Sequence, residues 1–136
     1  MAGGVLEMRL VVTAADYDEA LAFYRDALGM REQGAFSTGE RRVTILDAGR
    51  ATLELADLPH AEWIDEVEVG RRVAGHVRVA FQVTDTPATT SALVAAGAKL
   101  LAPPVETPWG SRNSRLQGPA GLQLTLFEQL GDERFA

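Results

Sequence analysis

The sequence predicts an α+β fold of two pseudo-repeated β-α-β-β-β modules whose strands form a curved, cleft-enclosing sheet. Three observations carry this. A strand, an Asp, a helix pattern and a Gly occur in that order twice, with Asp16 to Gly29 spanning 13 positions and Asp85 to Gly97 spanning 12. Strand-like segments separated by turns follow each Gly. Residues 58–74 have no counterpart in the second copy, so they read as the linker. An internal repeat constrains a fold more tightly than any single element does. The chain is accordingly read as one domain, with module one at about 5–57 and module two at about 75–128.

Residues 1–4 are expected to fray. The first strand puts Met8, Leu10 and Val12 on one face and Glu7, Arg9, Val11 and Thr13 on the other. Asp16 is the expected N-cap of the first helix, with Glu19 three positions on as a capping box requires. Ala20, Leu21, Tyr24, Ala27 and Leu28 form its apolar stripe, and Gly29 is its stop. Phe23 and Tyr24 are expected in the core. Met30 to Phe36 reads as a weaker strand. Residues 42–47 and 51–56 alternate about a turn at Ala48-Gly49-Arg50 and predict a hairpin. In the linker, Pro59 to Glu66 predicts a short helix, a linker or a flap, with His60 at the surface.

Module two opens on His76 to Asp85. Val77, Val79, Phe81 and Val83 alternate with His76, Arg78, Ala80 and Gln82. Thr86 is expected as N-cap and Pro87 as the first helical residue, with the helix ending at Gly97. Lys99 to Ala102 reads as a strand stopped by Pro103-Pro104, and residues 105–110 as irregular. Ser111 to Gln117 is a further strand. After the turn Gly118-Pro119-Ala120-Gly121, the last strand sets Leu122, Leu124 and Leu126 against Gln123, Thr125 and Phe127. Residues 129–136 read as a polar tail.

Composition narrows the function. Hydrophobic residues make up 46% of the 136, enough for a core, yet no run of about 18 apolar residues predicts a membrane span. The N-terminus has no secretory pattern, and a cytoplasmic setting is expected. The absence of cysteine removes thiolate chemistry and cysteine-based metal sites. A net charge of −6 disfavours a nucleic-acid partner, because no basic stripe is available to replace counterions.

Four stretches resemble the vicinal-oxygen-chelate superfamily, which includes glyoxalase I, extradiol dioxygenases and bleomycin-resistance proteins. They are Asp16 to Gly29, Ala51 to Leu55, Arg78 to Asp85, and Gly118 to Leu124. The resemblance implies four metal-ligand positions on the concave face. Carried over one at a time, they fall on Arg9, Glu54, Arg78 and Thr125. Only Glu54 is a ligand type, and arginine, permanently protonated, cannot ligate. His76 lies two residues from the third position, which leaves a shifted ligand open. No metal and no cofactor is therefore expected.

Arg9, Glu54 and Arg78 then form a charged cluster, either an ion network between the modules or an anchor for a ligand's carboxylate, phenolate or quinone oxygen. Trp109 sits in an irregular Pro-Trp-Gly segment, and Phe36, Trp63 and Phe127 are candidates to join it at a cleft rim. The aromatics fit either a planar ligand or a homodimer contact. The favoured reading is a non-catalytic binder of a small aromatic or polar molecule, such as a resistance protein that sequesters a natural product. The alternative is a metal-independent or atypical lyase, isomerase or cyclase-like enzyme with Glu54 as base and Arg9 and Arg78 stabilising an enolate.

Overall fold

The structure, a computed structural model, describes residues 4–131; the expectations for residues 1–3 and 132–136 lie outside them. Eight strands form one sheet: β1 (Glu7–Thr13), β2 (Glu32–Thr38), β3 (Arg41–Asp47), β4 (Thr52–Ala56), β5 (Val77–Gln82), β6 (Lys99–Glu106), β7 (Ser111–Gln117) and β8 (Gln123–Gln129). Their order is β2-β3-β4-β1-β5-β8-β7-β6. In the first half β1 runs parallel to β4, and in the second β5 runs parallel to β8. The two halves meet where β1 pairs antiparallel with β5. The same four-strand order thus occurs on each side of a central seam.

Three helices accompany the sheet: α1 (Tyr17–Leu21), α2 (Leu58–Glu68) and α3 (Thr86–Ala95). α1 covers one outer face, where Tyr17, Leu46 and Leu55 form a buried cluster. α3 covers the other, above Val83, Leu116 and Leu126. α2 packs on the opposite, inner face and touches both β3 and β7. Those strands are five places apart in the sheet, about 24 Å if it were flat. An 11-residue helix is only about 16 Å long. The sheet must therefore curl around α2. None of the helices among the described residues is long and apolar enough to cross a membrane.

The local signals hold at several caps. The Asp16 carboxylate accepts the Glu19 N–H at 3.0 Å, and Gly29 and Gly97 both take positive φ beyond their helices. Elsewhere the structure departs from expectation. Helix one is α-helical only to Leu21, and Ala22–Ala27 is π-helical, with the Leu28 N–H bonded to the Phe23 carbonyl. The wider turn rotates the stripe that a 3.6-residue period assumes. Phe23 and Leu28 consequently lie on the surface, 58% and 64% exposed. The N-cap of α3 is Asp85 rather than Thr86, with its carboxylate accepting the Ala88 N–H at 3.0 Å. The freed Thr86 hydroxyl donates to the Arg112 carbonyl instead. β6 continues through Pro103-Pro104, with register irregularities, because it is an edge strand whose missing N–H groups cost no ladder bonds. The weak strand begins two residues later than expected, at Glu32.

Candidate functional site

The inner face has a floor and a roof. Pairing across β4, β1, β5 and β8 sets Glu54 beside Val11, Val11 beside Arg78, Arg9 beside Ala80, and Ala80 beside Thr125. These side chains share one face because directly opposed residues in a sheet do. The roof is α2. Asp57 caps it by accepting the His60 N–H at 2.9 Å, and Pro59 occupies its first turn. His60, Ile64 and Glu68, spaced four apart, form one stripe that points down. β3 is therefore buried on both sides, with Val43 and Ile45 under α2 and Leu46 under α1.

Between roof and floor lies a cavity of about 40 Å³, lined by Arg9, Glu54, Arg78, Thr125, Phe127 and Trp109 with the α2 stripe and Asn113. A second void of about 10 Å³ adjoins it, sharing Glu54, His60, Ile64 and Arg78.

The roof is pinned by charge. The Arg115 side chain on β7 is fully buried. It donates from Nη2 to Glu68 at 2.7 Å, and from Nη1 to Asp65 at 2.8 Å and to Gln123 at 2.7 Å. Asn113 donates to the second Glu68 oxygen at 2.8 Å. The other Asp65 oxygen accepts from Arg72 at 2.6 Å and from the Val73 and Ala74 N–H groups at 2.9 Å each. Burial alone would raise the Asp65 pKa. The Ala74 and Val73 N–H groups with Arg115 and Arg72 outweigh it and hold the carboxyl at about 2.

Two floor cations differ in company. Arg9 donates to Glu7 at 2.7 Å and lies 4.6 Å from the centre of the Phe127 ring. Arg78 donates from Nη1 to the Thr125 hydroxyl at 3.0 Å. Desolvation first, and then repulsion from Arg115, lower its pKa from the usual arginine value. On the roof, burial and then the nearby Arg41 push His60 down to about 4, so its imidazole is neutral at pH 7. Its buried Nδ1 has no hydrogen-bond partner among the described residues.

This sheet order and site position can be set beside known proteins. The family model of the Glyoxalase/Bleomycin resistance protein/Dioxygenase superfamily matches residues 8–126. The chain belongs to that superfamily. Among solved structures, a hypothetical protein, BH1468 from Bacillus halodurans C-125, superposes with a TM-score of 0.66 at 16% identity, covering 99% of this chain and all of that one. A Streptomyces coelicolor methylmalonyl-CoA epimerase variant reaches 0.66 at 21% identity, covering 97% and 100%. A 4-hydroxymandelate synthase variant from the same organism reaches 0.63 at 23%, covering 96% of this chain and 39% of that one. At these identities the likeness is one of fold. A curated relative, ATP-dependent zinc metalloprotease FtsH 1 of Sorangium cellulosum, is 42% identical over 71 residues, which span 51% of this chain but only 11% of that protein.

Six of the residues singled out in the sequence, Arg9, Glu54, Arg78, Trp109, Thr125 and Phe127, line the one cavity. Trp63 lies on α2, 5.5 Å from Trp109 between ring centres, with the Arg41 guanidinium 3.7 Å over its own ring. Phe36 does not line it; it pairs with Val43 on β2, the sheet's edge strand. His76 precedes β5 and is exposed in a surface groove with Phe23 and Tyr24, because the alternation does not extend beyond Val77. His60, expected at the surface, is 3% exposed because the linker folds inward as α2. Sequence reasoning missed Asp65, Glu68, Asn113 and Arg115. Their signal was a strand with polar residues on both faces, Ser111 to Arg115, and a linker helix with two carboxylates three apart.

The donor set does not fit a divalent ion. The cavity lining carries the guanidinium groups of Arg9 and Arg78, and no group of three His, Asp or Glu among the described residues is placed to hold one.

Proposed function

We propose that this chain is a small-molecule binding protein whose site is the inner face beneath α2, in the manner of a sequestering resistance protein. The observation that carries the reading is the meeting of Arg9, Arg78 and Trp109 at one cavity under a helix that covers it. Guanidinium forks match a ligand's oxygens, and an indole gives a planar surface. With α2 seated, the cavity is far smaller than the ~150 Å³ void that admits benzene. A planar ligand therefore enters only if α2 lifts. Its roof contacts make this visible, since lifting separates Trp63 from Trp109.

The test is a fluorescence titration with aromatic polyketides, quinones and aromatic acids. The expected result is quenching that saturates, with affinity at least tenfold weaker in Arg78→Ala, from a charge-assisted hydrogen bond of roughly 1.5–3 kcal/mol, and weaker by up to about tenfold in Trp109→Ala, from stacking of roughly 0.5–1.5 kcal/mol. A ligand whose affinity ignores Trp109, Arg9 and Arg78 contradicts the reading. Glu54 lines the same cavity as both arginines, which also suits the enzyme reading. Turnover abolished by Glu54→Gln while binding persists selects it.

The proposal includes a homodimer in the cytoplasm. Val5, Leu6, Met8 and Leu10 are exposed apolar side chains on and before β1. Such clustered exposure commonly marks an interface.

A further inference from the structure

We propose that the small cavity beneath α2 receives the head of a compact monocarboxylate, its carboxylate on the Arg78 guanidinium and an adjacent hydroxyl on Nδ1 of His60. The inference rests on the reading of the inner face as the ligand site and narrows it to a chemical class.

Arg78 sets the sign of the ligand. It is 9% exposed and lines both voids. Its hydrogen bond goes to a neutral hydroxyl, and it makes no ion pair with a carboxylate among the described residues. Arg115, by contrast, is matched by Asp65 and Glu68. Glu68, Glu54 and Asp65 act on this buried cation only through space, and desolvation with repulsion from Arg115 outweighs them, so a bound anion in direct contact relieves it. The fork geometry of guanidinium favours a carboxylate over a spherical ion.

The other walls limit the ligand further. Glu54 and Glu68 also line the cavity, so a second negative charge would meet repulsion. About 40 Å³ takes a few heavy atoms and excludes a ring. His60 supplies the second contact. It is 3% exposed, lines the same voids, and its Nδ1 has no hydrogen-bond partner among the described residues. Buried polar atoms are nearly always paired. A hydroxyl next to the carboxylate satisfies that nitrogen whichever tautomer is present, because it donates and accepts.

The experiment is long-range 1H–15N NMR of the imidazoles in the full chain, titrated with sodium glycolate, acetate and inorganic phosphate. The chain has two histidines, and exposed His76 is the internal control. Saturable shifts at His60 with His76 unmoved are expected, with glycolate binding three- to tenfold tighter than acetate and phosphate weaker than either. His60→Phe should erase the preference for glycolate while acetate still binds. Arg78→Gln should weaken both at least tenfold, and Arg78→Lys, which keeps the charge without the fork, by less. The wild-type readout stands even where a variant fails to fold. Absence of a shift at His60, phosphate matching glycolate, or a glycolate preference that survives His60→Phe overturns the proposal. Aromatic acids that quench Trp109 without moving His60 overturn it while leaving the broader site intact. If none of these acids, polyketides or quinones binds at the inner face, both fall.

Discussion

Replacing Arg115 by Met tests how α2 is held. Met keeps an unbranched apolar stem and brings no charge. Asp65 keeps three donors, from Arg72, Val73 and Ala74. Glu68 keeps Asn113 at 2.8 Å and a long contact to Thr125 at 3.4 Å, with no hydrogen-bonded cation and only Arg78 acting through space. The cost therefore falls on Glu68, whose side chain is almost fully buried. Breaking a buried pair by removing one partner costs about 3–5 kcal/mol. With a urea slope of roughly 2 kcal/mol per molar, the midpoint should fall by about 2 M. Adding Glu68→Gln removes the stranded charge and keeps an acceptor for Asn113, so it should restore about half. The assay is urea unfolding followed by tryptophan fluorescence for wild type, both single variants and the double variant, closed as a thermodynamic cycle. A loss below about 1 kcal/mol for Arg115→Met, or no coupling to Glu68, would refute the reasoning that this ion pair seats the helix.

Acidification should destabilise the protein in two stages. His60 sits at about 4 in the fold against 6.5 ordinarily, so its contribution is complete above pH 6.5 and lost as pH falls toward 4, about 3 kcal/mol in all. Asp65, at about 2 against 3.8, loses its contribution only below that window. Burial first, then Arg41 and Arg78, hold His60 down against the opposing pull of Asp57, and His60→Phe should flatten the pH 6.5 to 4 slope of the melting temperature. Gly97→Ala, at φ 113°, should cost roughly 1–2 kcal/mol by thermal unfolding, although nothing lies within 4 Å of the added carbon, and an unchanged melting temperature would contradict the cap. Light scattering should give twice the 14.6 kDa chain mass at micromolar concentration; the mass of one chain would count against the homodimer.

The fold was legible where a single period governed a segment. Alternation in β1, β4, β5 and β8 put Arg9, Glu54, Arg78 and Thr125 on the inner face, because side-chain direction in a strand follows from parity alone. Helix one was less legible. Its composition is that of an amphipathic α-helix, and nothing local marks the π-helical turn that sends Phe23 outward. The site was legible as a floor and not as a roof. Where α2 would pack depends on contacts between residues about 50 apart, such as Arg115 with Asp65. No local pattern states such a pairing. With the roof unplaced, His60 read as surface and Arg115 as an ordinary strand residue, and the cleft looked open enough for an aromatic ring.

The most direct measurement of the central claim is a crystal structure after soaking with glycolate and a panel of aromatic carboxylic acids. The account predicts ligand density between α2 and β5, with carboxylate oxygens within hydrogen-bonding distance of Arg78. A larger acid should also displace α2 and part Trp63 from Trp109. Density confined to the apolar groove of about 260 Å³ beside α3, lined by Phe81, Val83, Leu93 and Leu124, with the inner face unchanged, would contradict it.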